Sequence, residues 1–553
     1  MSIRSNLADP EPATQDVFSY LFSKRRDYPT DRVIYRVDGS DETLTVRELE
    51  QKSRQFAHTL VDRYGVKQGD TVGILASDSI AYPIAYLGIL AAGAIVELVP
   101  IQAQLTAPDV RLRLAQAKTK LLITDLKLLG MAINACETLP QVKLLVLDGT
   151  RSQLNFFSDE CPQYYGFRLR TREEAENSVA FVNRTSGSTG NMKSVLTTHG
   201  YFIAVLQSTL ATVPANTDPD ADTWLSSLSL GFFINAKLHI GLNILLGIPV
   251  VLMREPFSRA TLSIIPRHRI TFLFVPPALA ADLAAAGTGS TPDVSSIKWL
   301  LSAGAPMHEG LAARISALLN GVHVAMEWGT SETLLIAIQT AAHASPPGSS
   351  GVLVSGMETC IVDTETGELL PPSSGERRGE IWVRNRVCPF GGYKDNDEAN
   401  AAAFDADGWY HSGDFGYIDE HKNVFILDRL KELIRVGDGY GVHVSATEIE
   451  AVLFEHPAVE QVVVTGCFND KTAREHPTAF VVLKPDADKD RVTALASLQA
   501  WTAERLNGLQ RLTGGIIFVS RLPTVGFKIN RRALKGLVTF DTAVQASPQY
   551  IEV

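Results

Sequence analysis

The sequence predicts an α/β protein with mostly parallel sheets and more than one folding unit. Short apolar runs alternate with stretches of helical periodicity between about residues 43 and 302, the rhythm of strand–helix–strand units whose sheets are covered on both faces. From about Gly351 the runs become shorter alternating strands between Gly, Pro and Asp turns, which predicts an antiparallel, barrel-like section. After Arg429 a helix and strands begin afresh as a small α/β unit. At 553 residues the chain also exceeds the length at which one hydrophobic core keeps growing.

The first helix starts at Thr45, a hydroxyl cap with Glu48 three positions on, and apolar residues recur at helical spacing as far as Leu60. Strands are expected at 71–75, 95–99, 121–124, 143–147, 178–182, 194–198, 250–253, 272–275 and 299–302, with a helix at 79–92. The stretch 79–96 carries no charge and approaches membrane-spanning length. Pro83, Gly88 and Gly93 interrupt it, so a buried helix running into a core strand accounts for it better. Later strands are predicted at 359–363, 379–384, 424–427, 461–465, 478–483 and 515–519, and helices at 445–454 and 492–506.

A net charge of -10 argues against broad binding to nucleic acid or an anionic membrane and leaves small molecules or proteins as partners. Cys136, Cys161, Cys360, Cys388 and Cys467 lie far apart, with no pair at metal-ligand or redox spacing, which fits a reducing compartment. The first residues lack an apolar signal core, and the end, Tyr550-Ile551-Glu552-Val553, is not a Ser-Lys-Leu type address. A cytoplasmic protein without a transmembrane segment is expected.

The loop Thr185-Ser186-Gly187-Ser188-Thr189-Gly190-Asn191-Met192-Lys193 lies between two expected strands. Its glycines let backbone N–H groups approach an anion closely, its hydroxyls add donors, and Lys193 adds a positive charge. A polar hairpin turn would use the same residues. Met192 stands where a Walker A loop needs glycine, and a strand follows rather than a helix, so that loop type is excluded.

Four further segments carry chemistry-bearing residues in order: Ser302-Ala303-Gly304-Ala305-Pro306, Glu327-Trp328-Gly329-Thr330-Ser331-Glu332, Ser412-Gly413-Asp414 after Gly408-Trp409-Tyr410, and Asp428-Arg429-Leu430-Lys431-Glu432. A fifth contains Lys528, within Leu522-Pro523-Thr524-Val525-Gly526-Phe527-Lys528-Ile529-Asn530-Arg531-Arg532. Each alone is compatible with a turn, a capped helix, a solvated linker or a basic cluster. In order with the loop they make the chain resemble, over nearly its whole length, the adenylate-forming (AMP-binding) enzymes: acyl-CoA synthetases, coumarate-CoA ligases, firefly luciferase and peptide-synthetase adenylation domains.

The resemblance implies a large domain over 1–427, of two α/β sheet subdomains and the barrel-like section, a hinge at 428–432, and a small mobile α/β domain over 433–553. It implies ATP, Mg²⁺ and coenzyme A as reactants and cofactors. The loop from Thr185 to Lys193 holds the triphosphate, Ala303, Gly304, Ala305 and Glu327 to Ser331 surround AMP, Glu332 holds Mg²⁺, Asp414 and Arg429 meet the ribose, and Lys431 is the pivot. Lys528 bridges carboxylate and α-phosphate, although its motif is one residue short and has Phe527 where the family has Gly. Lys193, Glu332 and Lys528 are therefore the catalytic candidates.

The implied reaction joins a carboxylic acid to AMP with release of pyrophosphate, then passes the acyl group to a thiol. By position, Phe232, Phe233, Ile234, Ala303, Gly304, Met326 and Leu334 line the acid pocket, which reads as apolar and suits a fatty, aryl or arylalkanoic acid. No acidic residue occurs between Leu225 and Val251 to hold an amino acid's ammonium. Lys237 and His239 lie nearby, the lysine expected to reach solvent. By the resemblance, the segment 435–444 is about three residues longer than the family's. That leaves three readings: transfer to coenzyme A, transfer to a carrier-protein thiol or an amine, and a non-catalytic nucleotide-binding protein.

Overall fold

In the computed structural model, the described residues are 2–23, 27–102, 105–147, 161–185, 192–284, 292–307, 309–340, 343, 345–373, 375, 377–436, 443–469, 474–525, 528–537 and 549–551. The apolar runs build two large sheets. The first is ordered Lys143–Leu147, Thr119–Asp125, Thr71–Leu75, Ile95–Leu98, Val179–Arg184, Ser194–Thr198, with only the last pair antiparallel. The second has six parallel strands at its centre: Val324–Trp328, Trp299–Ser302, Phe272–Phe274, Trp224–Leu225, Val250–Leu252 and Val33–Val37. Antiparallel strands extend it at both ends.

Local signals set the helix starts. Thr45 caps the helix Val46–Asp62, and Glu48 returns a bond to the Thr45 backbone, the reciprocal cap the sequence predicts. Residues 43–45, expected to lead directly into that helix, instead form a short edge strand on Val33–Val37, because the turn before them folds the chain back. All eleven residues of Ala81–Ala91 are buried, and an all-round apolar helix belongs in a core. Among the described residues no helix is long and apolar enough to cross a membrane.

The antiparallel section is ordered Ile3–Arg4, Met357–Val362, Gly379–Asn385, Tyr410–Ile418, Val424–Arg429. A 3₁₀ turn, Leu430–Glu432, follows its last strand. Beyond it, Val459–Asn469, Arg474–Leu483, Gly515–Val519 and Gln549–Ile551 form a four-stranded sheet, with helices Ala446–Phe454 and Arg491–Arg505. Asp428, before the turn, accepts the backbone N–H of Ala446 at 3.0 Å, so the end of one sheet caps the first helix of the next unit.

Alternation along the second sheet divides the core. Trp224, Phe272 and Leu301 share one cluster with Leu238 and Ile240. Leu225, Leu273 and Leu300 face the other way, into a cluster with Ile449, Leu453, Val464 and Leu498 of the C-terminal unit. On that face the helices Pro277–Ala284 and Glu309–Leu318 cover the sheet, and the C-terminal unit packs against these helices.

Candidate active site

Parallel sheets present ligands at the carboxyl ends of their strands, and the candidate residues gather at two such ends. Trp299–Ser302 runs into Ala303, Gly304 and Ala305, with Gly304 at φ 96°, a conformation that favours glycine. Val324–Trp328 runs into Gly329, where a Cβ would lie 2.4 Å from the Leu334 carbonyl oxygen. Only glycine lets that turn close. Inside it the Thr330 N–H donates to Thr333 Oγ1 at 3.0 Å, and Ser331 Oγ donates to the Arg184 carbonyl at 3.1 Å.

That last bond joins the turn to the neck of the hydroxyl-rich loop. The neck is closed by Thr185 N–H on the Lys193 carbonyl and Lys193 N–H on Thr185 Oγ1, each 3.1 Å. Ser186, Gly187, Ser188, Thr189 and Gly190 lie outside the described residues. The Lys193 ammonium sits 4.6 Å from the centroid of the Tyr393 ring, whose hydroxyl donates to Glu332 Oε1 at 2.6 Å. Arg184 anchors the neck from below: its buried guanidinium meets Glu97 at 3.4 Å and donates to the Arg113 carbonyl.

A second group faces the first. Asp414 lies within the strand Tyr410–Ile418 rather than in a turn, opposite Arg429 in register, with Gly413 at φ 68°. Its Oδ2 accepts Trp328 Nε1–H at 2.8 Å, and its Oδ1 accepts Arg429 Nε–H at 2.9 Å. Burial raises the Asp414 carboxyl above the usual range despite Arg429 and Trp328, while Asp414 raises the Arg429 guanidinium further.

Lys528 comes from the strand Lys528–Ile529, paired with Thr524–Val525, and reaches this group from the C-terminal unit. Burial, then the positive charges of Arg429 and Lys431, lower its ammonium to about 8 against the opposing fields of Asp414 and Glu332. Lys431 is lowered too, by burial and Arg429. Cations from two folding units thus share a site with two carboxylates.

On the acid side, Phe232, Phe233, Ile234 and Leu334 are half-buried, and Phe233 meets Phe181 edge-on at 5.3 Å. Three expectations change. Glu327, expected at the nucleotide, has both carboxylate oxygens 2.6 Å from Lys237 Nζ, because its strand turns it toward the helical layer. Lys237, expected to reach solvent, is buried in that pair. Met326 points to the opposite face of its strand from Glu327, among apolar residues shared with the C-terminal unit, and not toward Phe233.

Residues 21–394 match the AMP-binding enzymes, and residues 448–526 match the AMP-binding enzyme C-terminal domain. The chain belongs to the AMP-binding enzyme family. Asp414 and Arg429 fall between the two matched segments, and Lys528 two residues beyond the second. The phenylacetyl-CoA ligase epaB of Aspergillus niger is 30% identical over 94% of this chain and 96% of its own. A 4-coumarate–CoA ligase of Vanilla planifolia is 29% identical over 90% of this chain and 89% of its own. ATP-bound MatB from Rhodopseudomonas palustris shares the fold, with a TM-score of 0.79 at 23% identity over 94% of this chain and 98% of that one. The expectations of an adenylate-forming fold and of an acid–thiol ligase are met.

For this AMP-binding enzyme the donor set suits a magnesium ion held jointly with phosphates. Among the described residues no cluster of three metal-binding side chains occurs, and Mg²⁺ commonly takes one or two carboxylates with substrate phosphates and water. Glu332 offers one carboxylate, oriented by Tyr393. The sequence reading missed Tyr393 and Arg184. For Tyr393 a signal existed in Gly391-Gly392-Tyr393: a Cβ at Gly391 would lie 2.2 Å from the Leu196 carbonyl oxygen, so glycine is required where this segment meets Ser194–Thr198.

Proposed function

We propose that this enzyme uses ATP to activate an aryl, arylalkanoic or fatty carboxylic acid and then hands the acyl group to coenzyme A. The observation that carries the reading is the placement of Lys528 among Arg429, Asp414 and Glu332. A carboxylate oxygen attacks the α-phosphorus, the bond to pyrophosphate breaks, and an acyl-adenylate forms. Both reactants are anionic, so a buried ammonium from Lys528 stabilises the charge that develops between them. Lys193 neutralises the outer phosphates, and Glu332 would hold Mg²⁺, which supplies further charge neutralisation when bound. The Asp414 carboxylate and Arg429 suit the ribose hydroxyls, and Trp328 offers a flat surface for adenine.

In the second half-reaction the thiol attacks the acyl carbonyl and AMP leaves. Lys528 closes over the reacting groups in the first step, so it has to withdraw before a thiol can reach the acyl carbon, and the turn Leu430–Glu432 with Lys431 is the pivot we assign. On this reading the adenylation domain is 1–427 and the mobile domain 433–553. An aryl or arylalkanoic acid is supported by the names of the phenylacetyl- and coumarate-CoA ligases and by Phe232 and Phe233 at the mouth of the pocket. The five scattered free cysteines support a cytoplasmic setting.

The test is carboxylate-dependent ATP–pyrophosphate exchange over a panel of acids, then product analysis with and without coenzyme A. Exchange with an acid and a CoA ester as product is expected. No exchange with any acid would overturn the activity, and exchange without a CoA ester would move the acceptor to a carrier-protein thiol or an amine.

A further inference from the structure

We infer that the C-terminal end of the helix Ala107–Ala117 anchors the triphosphate-binding segments, and that Arg184 and Lys394 are the positioning residues docked on it. This rests on the ATP-using reading above and deepens it, by making ATP affinity depend on side chains that lie beneath the site. Three segments carrying candidate phosphate-site groups meet at one place in the backbone. Arg184 ends the strand Val179–Arg184 and directly precedes Thr185 at the loop neck. Its carbonyl accepts Ser331 Oγ–H at 3.1 Å, one residue from Glu332. Across the antiparallel pair it faces Ser194, which directly follows Lys193. The Ser194 carbonyl in turn accepts the Lys394 N–H at 2.9 Å, next to Tyr393. Lys193, Glu332 and Tyr393 therefore each lie one residue from a tie to the Arg184–Ser194 pair.

Both cations reach the same helix end. The Arg184 guanidinium donates to the Arg113 carbonyl and to Gln116 Oε1, and Lys394 Nζ donates to the Ala117 carbonyl at 2.6 Å. Arg113 and Ala117 are four apart and so share one face of the helix, at the end where its carbonyls carry the negative pole of the dipole. Charge pairing alone does not account for the arrangement. Glu97 is buried, accepts Thr119 Oγ1–H at 2.6 Å and meets Arg184 at 3.4 Å. Buried Arg113 faces the same carboxylate: burial and the charge of Arg184 lower its guanidinium, and Glu97 opposes them. Arg113 can balance Glu97 by itself, so the second guanidinium is surplus to neutrality. Its planar fork, spread over a carboxylate, an amide oxygen and a carbonyl, instead fixes the strand end that bears the loop.

The experiment measures Mg-ATP affinity of the full-length enzyme by titration calorimetry, which needs no acid, together with KM for ATP and for an accepted acid in pyrophosphate exchange. Arg184→Met leaves Glu97 with Arg113 and is expected to weaken ATP binding and raise KM for ATP by about tenfold, while KM for the acid stays within about twofold of wild type. Lys394→Met cuts the other arm at a half-buried side chain and is expected to raise KM for ATP about threefold. It carries the test where Arg184→Met shows no cooperative thermal transition. Unchanged ATP affinity in either folded variant, or an equal rise in KM for ATP and for the acid, would overturn the inference. A wild-type enzyme that binds Mg-ATP yet exchanges with no acid would instead remove the activation reading, and calorimetry on the variants would still decide the anchor.

Discussion

The Tyr393 hydroxyl donates to Oε1 of Glu332 at 2.6 Å while the ring faces the Lys193 ammonium, so one side chain orients both candidate phosphate-site charges. Groups that orient a metal-holding carboxylate commonly contribute tenfold to a hundredfold to metal affinity or activity. Tyr393→Phe is therefore expected to lower kcat/KM for ATP by about tenfold and to raise the Mg²⁺ concentration needed for half-maximal rate. A Mg²⁺ titration of pyrophosphate exchange checks this, and an unchanged midpoint would place Glu332 away from the metal.

Lys528 has an ammonium lowered to about 8 by burial and neighbouring cations. The charged form is the one that helps adenylation, so kcat/KM for the exchange reaction is expected to fall about tenfold per pH unit above that value. Lys528→Ala should abolish adenylate formation yet leave thioester formation from supplied acyl-AMP largely intact. Equal loss of both steps would show that the lysine holds the structure together instead.

Arg314 grips the C-terminal unit in the arrangement that brings Lys528 in. Its guanidinium lies 3.9 Å from the Phe454 ring centroid and donates to the carbonyls of Phe454, Val459 and Glu460 at 3.3 to 3.4 Å. Arg314→Ala is expected to slow adenylation about fivefold to tenfold. Single-turnover rates separate the steps, and the thioester step from supplied acyl-AMP should not slow.

Two buried histidines predict an acid limb in stability. Burial lowers His199 to about 4 and His239 to about 3, so the folded protein holds both neutral. Because the folded values lie below the ordinary 6.5, this contribution is complete above pH 6.5 and is lost as pH falls toward them. The slope approaches about 1.4 kcal/mol per pH unit for each histidine as pH falls below 6.5, read from urea unfolding between pH 6.5 and pH 5. His199 Nδ1 accepts the Val17 N–H, and His199→Gln, whose amide oxygen can accept the same bond, should make the slope shallower.

By itself the sequence determined the layers and the order of the site. Strands 71–75, 194–198, 299–302 and 515–519 stand where apolar periodicity put them, because strands buried on both faces write their burial into consecutive residues. The reciprocal Thr45 and Glu48 cap was legible because it spans three positions. Partners far apart in the chain were not. Only the tertiary structure turned Glu327 onto Lys237, 90 positions away, and brought Tyr393 to Glu332, 61 positions away. Placing Ile3–Arg4 beside Met357–Val362, and Asp414 in a strand rather than a turn, likewise depended on non-local pairing. The reason is physical: local propensity fixes which face a residue can use, but which charge it meets there depends on how separate elements pack.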